Sequence, residues 1–328
     1  MRPVPGSSAV YGAIPSPPGS ARCRWWLRLR LYRVCGPPPR QNGRVTTRRS
    51  VSVIVPAHNE ASGIGRLLSA LTVPETEPAV EVLVVCNGCT DTTAEIARHW
   101  APGVRVIEIP EASKSAALAA GNSEARYGIR VYCDADVVLD RAGLTRLTAS
   151  LGPGVLAVGP RRRLDLTGAS WPVRAYYRFW ERLPQVRSDL FGRGVVALSP
   201  EGVVRVASLP SVMSDDLAIS EAFAAGERRV VEDVESVVIG ARSLGDLIRR
   251  RTRVAIGNSE LDRLGLRGPA ARTGVRTIAL LVRQRPTTGI DAGVFLLIAA
   301  LARGYAFTRR LRGISRVWLR DESSRRDG

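Results

Sequence analysis

The chain has 328 residues, enough for one large α/β domain with an appended subdomain, and its 45% hydrophobic and 24% charged residues exclude a disordered or fibrous class. The formal net charge is +18: residues 1–50 hold ten Arg and no acid, 51–150 hold 8 basic and 12 acidic residues, and 151–328 hold 30 basic and 18 acidic. Such a field suits nucleic acid, anionic lipid or a phosphorylated substrate, and since 47 of the 48 basic residues are Arg it also matches GC-rich coding, so charge alone does not choose among them.

Residues 1–49 are rich in Pro, Gly, Ser and Arg without sustained periodicity and read as a disordered arm with no cleavable signal peptide. Val51 to Val55 is a β-branched run ended by Pro56, the pattern of a buried parallel strand. Asn59 is placed to cap a following helix in which Ile64, Leu67, Leu68 and Leu71 share one face. Val80 to Val85 predicts a second strand, Thr90 or Asp91 a cap for a helix reaching Trp100, and Val104 to Ile109 a third strand. A small-residue helix from Lys114 to Arg126 and a fourth strand from Ile129 to Cys133 complete a doubly wound, mostly parallel α/β sheet, which binds ligands at the carboxyl ends of its strands. Further on, 155–158 and 194–198 read as strands, 216–225 and 242–262 as helices, and 276–312 as cationic amphipathic helices broken at Pro286 and Gly289. Four segments follow: the arm 1–49, a strand-helix half 50–150, a second half 151–262 and C-terminal basic helices 263–328.

The longest apolar run, Ala292 to Ala302, covers only about 16 Å as a helix against about 30 Å of hydrocarbon, so no membrane span is expected. Five cysteines, at 23, 35, 86, 89 and 133, form no disulfide framework and suit a reducing compartment. Cys86 and Cys89 have CxxC spacing, but no second pair exists and His58 and His99 are the only histidines, which argues against a zinc site.

Polar residues collect at three strand ends: Pro56-Ala57-His58-Asn59-Glu60, Asn87 to Asp91, and Asp134-Ala135-Asp136. The last motif places two hard carboxylates on one side of an extended segment, the donor type for Mg²⁺ or Mn²⁺ shared with a substrate diphosphate. Lys114 is the sole lysine and opens a helix; an ammonium and a guanidinium are not interchangeable at a phosphate.

Taken in order, VSVIVPAHNE, CNGCTDTT, KSAALAAGN and DAD over Val51 to Asp136 resemble the nucleotide-binding half of the family 2 glycosyltransferases, with the GT-A fold. The resemblance implies that Pro56, Ala57, Asn59 and Glu60 line the nucleoside and that Asn87 and Asp91 belong to the second nucleotide loop. It further implies that Lys114 lies near the nucleotide, Asp134 near the ribose, and Asp136 on the metal. Cys86-Asn87 replaces an acidic pair common in the family, which leaves the base open. More loosely, Phe191-Gly192-Arg193-Gly194 resembles the acceptor loop, and Ser214-Asp215-Asp216-Leu217 the acidic motif that supplies the catalytic base. From that helix start Asp216 would take the proton of an acceptor hydroxyl attacking opposite the diphosphate, which inverts the anomeric centre. Arg250-Arg251-Thr252-Arg253-Val254 lacks the Gln and Trp of the processive QxxRW signature, so transfer of one sugar is expected rather than polymer synthesis.

A nucleotide-sugar donor and a divalent cation are therefore the expected ligands, with no nucleic acid, since the sheet half is net acidic. Apolar residues bordered by Arg, namely Trp171, Tyr176, Tyr177, Phe179 and Trp180 among Arg174, Arg178 and Arg182, and Ala292 to Ala302 between Arg285 and Arg303, predict peripheral attachment to an anionic membrane on the cytoplasmic side. A lipid-linked acceptor follows by analogy with the family. The alternative reading, a nucleotide binder of another class such as an NAD-type dehydrogenase, meets no G-x-G-x-x-G after the first strand.

Overall fold

The computed structural model describes residues 49–72, 79–100 and 103–312; all of the expected arm except Arg49 lies outside these, as do Cys23 and Cys35. Seven strands form one sheet in the order β3-β2-β1-β4-β6-β5-β7. They are β1 (Val51–Ala57), β2 (Val80–Asn87), β3 (Val104–Ile109), β4 (Ile129–Cys133), β5 (Ala157–Asp165), β6 (Val195–Leu198) and β7 (Arg228–Ile239). Only β6 runs antiparallel to its neighbours, β4 and β5. Every residue of β1 is buried, as a central strand covered on both faces requires, which is why its sequence is a continuous apolar run rather than an alternating one.

Helices α1 (Ile64–Leu71), α2 (Thr93–Arg98) and α3 (Lys114–Glu124) cross between the parallel strands. The α1 stripe of Ile64, Leu67, Leu68 and Leu71 is fully buried, each side chain contributing about 1.5–3 kcal/mol. Three local expectations are corrected. Pro56 continues β1 instead of ending it, because it falls beyond the last β1–β4 pair, Ile54↔Tyr132, where a missing N–H interrupts no ladder on that side. Asn59 does not cap α1: it adopts a left-handed φ of 54° and its amide turns toward Thr90, while Gly63 takes the cap position. The cap position of α2 is Thr92, although the Asp91 carboxylate accepts from Thr93 N.

The second half adds α4 (Arg141–Ala149), α5 (Trp171–Trp180), α6 (Pro184–Ser188), α7 (Pro200–Ala207), α8 (Asp215–Glu221), α9 (Leu244–Leu264), α10 (Val275–Gln284) and α11 (Gly289–Leu311). The aromatic cluster expected at a membrane is mostly interior. Tyr176, Tyr177, Phe179 and Trp180 are buried, Phe295 of α11 lies within 5.2 Å of both Tyr176 and Phe179, and Trp171 alone of the five stands out, 53% exposed. A helix that presents rings to a second helix gains far more from packing than from solvent, so the ring spacing encoded a core face. Arg178 fixes the same contact with a two-pronged ion pair to Asp291, at 2.9 and 2.6 Å. The span expectation also changes: Gly289–Arg310 is 22 residues of helix, long and apolar enough by length and composition to cross a membrane, because the helix continues through Arg303 where the apolar run stops. One face of it is packed inward through Ala292, Phe295, Ile298, Ala302 and Ala306.

Gly121 sets how closely α3, and with it Lys114, lies on the sheet: a Cβ there would run into Ile54 Cγ2 and stand 3.3 Å from Val85 Cγ2. Gly121→Ala is therefore expected to lower stability by about 1–3 kcal/mol despite the better helix propensity of alanine, as overpacking outweighs propensity in a filled core. Urea denaturation checks this, and an unchanged or raised midpoint would show that the helix simply lifts away.

Candidate active site

The carboxyl ends of β1, β2 and β4 open into a cavity of about 670 Å³. One wall comes from the loops after these strands, with Pro56, Asn59, Glu60, Asn87 and Asp134 to Val137; the facing wall holds Gly192, Gly194, Asp215, Asp216 and α9. The two strand-end loops are stitched together. Thr90 N donates to Asn59 Oδ1 at 2.7 Å, Asn59 Nδ2 donates to Thr90 Oγ1 at 3.1 Å, and Asn87 Nδ2 donates to Ala57 O at 2.9 Å.

Two expected nucleotide residues do not face the cavity. Ala57 is fully buried beneath the strand end, and Asp91 spends its carboxylate on Ala61 N and on the backbone and hydroxyl of Thr93. Burial acts against that carboxylate, but those donors hold it below the usual carboxylate range, as befits a loop-shaping residue. Asn87 lines the cavity with its amide already committed to the Ala57 carbonyl.

Asp134 N donates to Gly194 O at 2.8 Å, so β6 begins against the DAD segment. Gly194 has φ +68° and a Cβ there would collide with Val137, so only glycine lets the two segments approach this closely. Arg193 between the two glycines points the other way. It is buried and donates to the carbonyls of Asp189, Pro160, Val186 and Arg187, so it props the loop and lies outside the cavity lining.

Lys114 joins the halves of the site. Ser113 caps α3 by accepting from Ala116 N, and from the first position of that helix Lys114 Nζ lies 2.8 Å from Asp134 Oδ1 and 3.0 Å from Asp215 Oδ2. Burial opposes the charge, but Asp134 and Asp215, with Asp216 behind them, overcome it and hold the ammonium well above its ordinary value. Asp134 is pushed upward by burial and by the neighbouring carboxylates of Asp136 and Asp215, against the pull of Lys114. Asp216 completes the cluster, its Oδ2 accepting from Gly192 N at 2.8 Å. Two carboxylates thus contact one ammonium with a third close behind, an arrangement that favours added positive charge.

Helix α9 closes the cavity and was not foreseen as part of the site. Gly257 packs on Ser214 where a Cβ would strike the Ser214 hydroxyl, and Met213 N donates to Glu260 Oε2 at 3.0 Å, so the loop carrying Asp215 and Asp216 is pinned to this helix. The same helix brings Arg250, Arg251 and Arg253 to the cavity, and Arg162 enters from β5. Burial, then the charge of Arg250, lowers the Arg253 guanidinium below its usual value, with Asp216, Asp215 and Asp134 opposing. The signal available in the sequence is the basic run itself on the helix expected over 242–262. Among the described residues no three His, Cys, Asp or Glu side chains form a ready-made metal cluster.

The sheet, its glycine-loop wall and the carboxylate cluster define a nucleotide-dependent transferase of the GT-A fold. Residues 52–197 match the family model of glycosyl transferase family 2, and the chain is a glycosyltransferase. It is 28% identical to the glycosyltransferase AglE of Haloferax volcanii over 235 residues, 66% of this chain and 76% of that protein. It is 32% identical over 99 residues to a 4,4'-diaponeurosporenoate glycosyltransferase of Staphylococcus aureus, 28% of this chain and only 25% of that one. Among solved structures it resembles a mannosyltransferase of Pyrobaculum calidifontis in complex with GDP-Man and Mn²⁺, with TM-score 0.55, 25% identity and coverage of 82% of this chain and 85% of that one. The glucosyl-3-phosphoglycerate synthase of Mycobacterium tuberculosis shares the fold at TM-score 0.50 and 22% identity, over 67% of this chain and 82% of that one.

Replacing Lys114 by Gln removes the ammonium that Asp134 and Asp215 share. In chelator, Lys114→Gln is expected to cost about 1 kcal/mol, or roughly 2–4 °C in melting temperature, the scale of two partly exposed ion pairs. Thermal unfolding reads this directly; an equal melting temperature would mean that the bridge adds no stability.

Proposed function

We propose that the chain moves a single sugar from a nucleoside diphosphate sugar to an acceptor hydroxyl, with a divalent cation and inversion at the anomeric carbon, at the cytoplasmic face of a membrane. The observation that carries this reading is the Lys114 bridge, which brings the donor-side carboxylate Asp134 and the acceptor-side Asp215 to one nitrogen and leaves Asp216 beside them.

In this reading the nucleoside lies along Pro56, Asn59 and Glu60, and Lys114 faces the diphosphate from the start of α3. Asp134 and Asp136 fit Mg²⁺ or Mn²⁺ by donor chemistry: both offer hard carboxylate oxygens to the cavity, and with no third ligating side chain grouped with them among the described residues, the remaining positions would fall to diphosphate and water. When bound, the cation would offset charge on the departing nucleoside diphosphate. Asp216 takes the proton from the acceptor oxygen as that oxygen attacks the face opposite the diphosphate. Two backbone donors fix where this cavity-lining carboxylate points: Gly192 N–H bonds to Oδ2 and Leu217 N–H to Oδ1, each at 2.8 Å, and the remaining lone pairs are what it can offer an acceptor proton.

The membrane part of the reading rests on α10 and α11. Val275, Leu280, Ile290, Leu297, Tyr305 and Phe307 are exposed, and Arg276, Arg283, Arg303, Arg309 and Arg310 lie on the same two helices. Exposed apolar residues with interspersed arginines suit the headgroup plane of an anionic bilayer, and a lipid-linked acceptor would reach the cleft from there. The free thiols of Cys86, Cys89 and Cys133 accord with the reducing cytoplasm.

Asp216→Asn keeps the shape and removes the basicity, so sugar transfer should fall by roughly 10² or more while nucleotide binding stays within about twofold. Transfer assays paired with calorimetric nucleotide titration separate the two effects. Equal losses in both would place Asp216 in the nucleotide site and overturn its role as base.

A further inference from the structure

Three consecutive arginines on β5 meet different fates. Arg161 and Arg163 both pair with Glu235 on the neighbouring β7, at 2.6 and 2.5 Å. Arg162, alternating to the opposite face of the strand, lines the active-site cavity. The β5–β7 register shifts between Pro160 and Arg161, immediately before this residue, and such irregularities re-aim side chains.

Among the described residues no carboxylate is hydrogen-bonded to Arg162, although the Glu181 carboxylate acts on its charge through space. Its guanidinium donates to the carbonyls of Phe191, Gly192 and Val186 at 3.1–3.3 Å, its Nε is buried without a partner, and it stacks 4.3 Å from the centroid of the Trp180 ring. Burial, then the charge of Arg193, pushes it down to about 9. Arg251 of α9 also faces the cavity and sits over the Tyr176 ring at 5.7 Å. Both guanidiniums therefore rest on the aromatic edge of α5, where Tyr177 and Trp180 also meet the cavity. A buried cation bonded to carbonyls and a ring, with Glu181 countering the effect of burial only through space, is costly to keep, and an anion supplied by a ligand offsets that cost.

The position of these arginines separates them from the donor's diphosphate. Arg162 donates to Gly192 O at 3.1 Å, and the N–H of the same glycine donates to Asp216. The chain Arg162–Gly192–Asp216 ties the guanidinium to the acceptor side of the cleft, whereas Lys114 and Asp134 occupy the donor side. Beyond the arginines the cavity wall is apolar, with Leu183, Phe191 and Phe295.

We propose that Arg162 and Arg251 form an anion subsite for the acceptor, so that the acceptor carries a phosphate ester next to the hydroxyl it presents to Asp216, with an apolar portion against Tyr177, Trp180 and Phe295. A guanidinium over a ring suits phosphate oxygens: Arg251 can offer its planar fork, and Arg162, most of whose N–H groups already serve carbonyls, adds its charge and a remaining Nη2 donor. The proposal rests on the reading of this cleft as a glycosyl-transfer site and specifies the acceptor that the reading leaves open.

Calorimetric titration of the full chain with n-octyl phosphate tests it, with inorganic phosphate as the arm lacking an apolar tail and UDP or GDP with Mn²⁺ as the donor arm. The subsite predicts that octyl phosphate binds more tightly than inorganic phosphate, and that Arg162→Gln and Arg251→Gln each weaken it about tenfold or more, the scale of a lost charge-assisted bond. Nucleoside diphosphate binding should be unchanged in both. Arg251→Gln, at a partly exposed position, keeps the test valid if Arg162→Gln proves unstable in thermal unfolding. Absence of octyl phosphate binding to the native chain, native-like binding in Arg251→Gln, or a parallel loss of nucleoside diphosphate would overturn the proposal. Inorganic phosphate binding as tightly as octyl phosphate would overturn its apolar half. Loss of the donor arm alone, in the native chain, would instead count against the glycosyl-transfer reading and leave the anion subsite standing.

Discussion

A single ammonium organises this molecule's chemistry. Lys114 Nζ sits within 3.0 Å of two carboxylates that arrive from opposite halves of the chain, Asp134 from the end of β4 and Asp215 from the start of α8. Without a positive charge between them, Asp134, Asp215 and the nearby Asp216 would repel one another across the cleft. The rest of the architecture serves that meeting. Gly121 seats α3 on the sheet, Gly194 lets β6 start against Asp134, and Gly257 lets α9 press the Ser214 loop inward.

Carboxylates and arginines both line the cleft: Asp134 and Asp136 follow β4, Asp215 and Asp216 open α8, and Arg162, Arg250, Arg251 and Arg253 come from β5 and α9, with Arg253 influenced by Asp216, Asp215 and Asp134 on one side and by Arg250 on the other. In the proposed reading a cation and a diphosphate would neutralise each other at Asp134 and Asp136, and an anionic acceptor would meet Arg162 and Arg251. The α11 helix links the cleft to the exterior: Phe295 lines the cavity, while Leu297, Tyr305 and Phe307 of the same helix are exposed.

The donor half was readable from sequence because its information is local. Apolar runs mark β1 to β4, a 3.6-residue stripe marks α1, and polar residues at successive strand ends must converge once the strands are parallel. Cap assignments failed where side chains served the tertiary structure instead, as Asn59 does in bonding across to Thr90. In the second half, β7 escaped notice because Arg228, Arg229, Glu232, Asp233 and Glu235 give it the charged look of a sheet edge. The aromatic row of α5 read as a membrane patch because ring spacing is the same whether the partner is lipid or Phe295. Arg162 and Arg251 were invisible as site residues in a chain with 47 arginines, since only the register of β5 and the angle of α9 distinguish them from solvated neighbours.

The central claim is that this cleft holds a nucleoside diphosphate through a divalent cation at the DAD segment. It is tested most directly by titrating UDP and GDP into the native chain and into Asp136→Ala, each with Mn²⁺ and again in EDTA, with melting temperatures recorded in parallel. The account predicts that Mn²⁺ tightens binding of at least one nucleotide to the native chain by about tenfold or more, and that Asp136→Ala loses this gain while melting unchanged in EDTA. Equal affinity with and without Mn²⁺, or a cation effect that survives in Asp136→Ala, would contradict it.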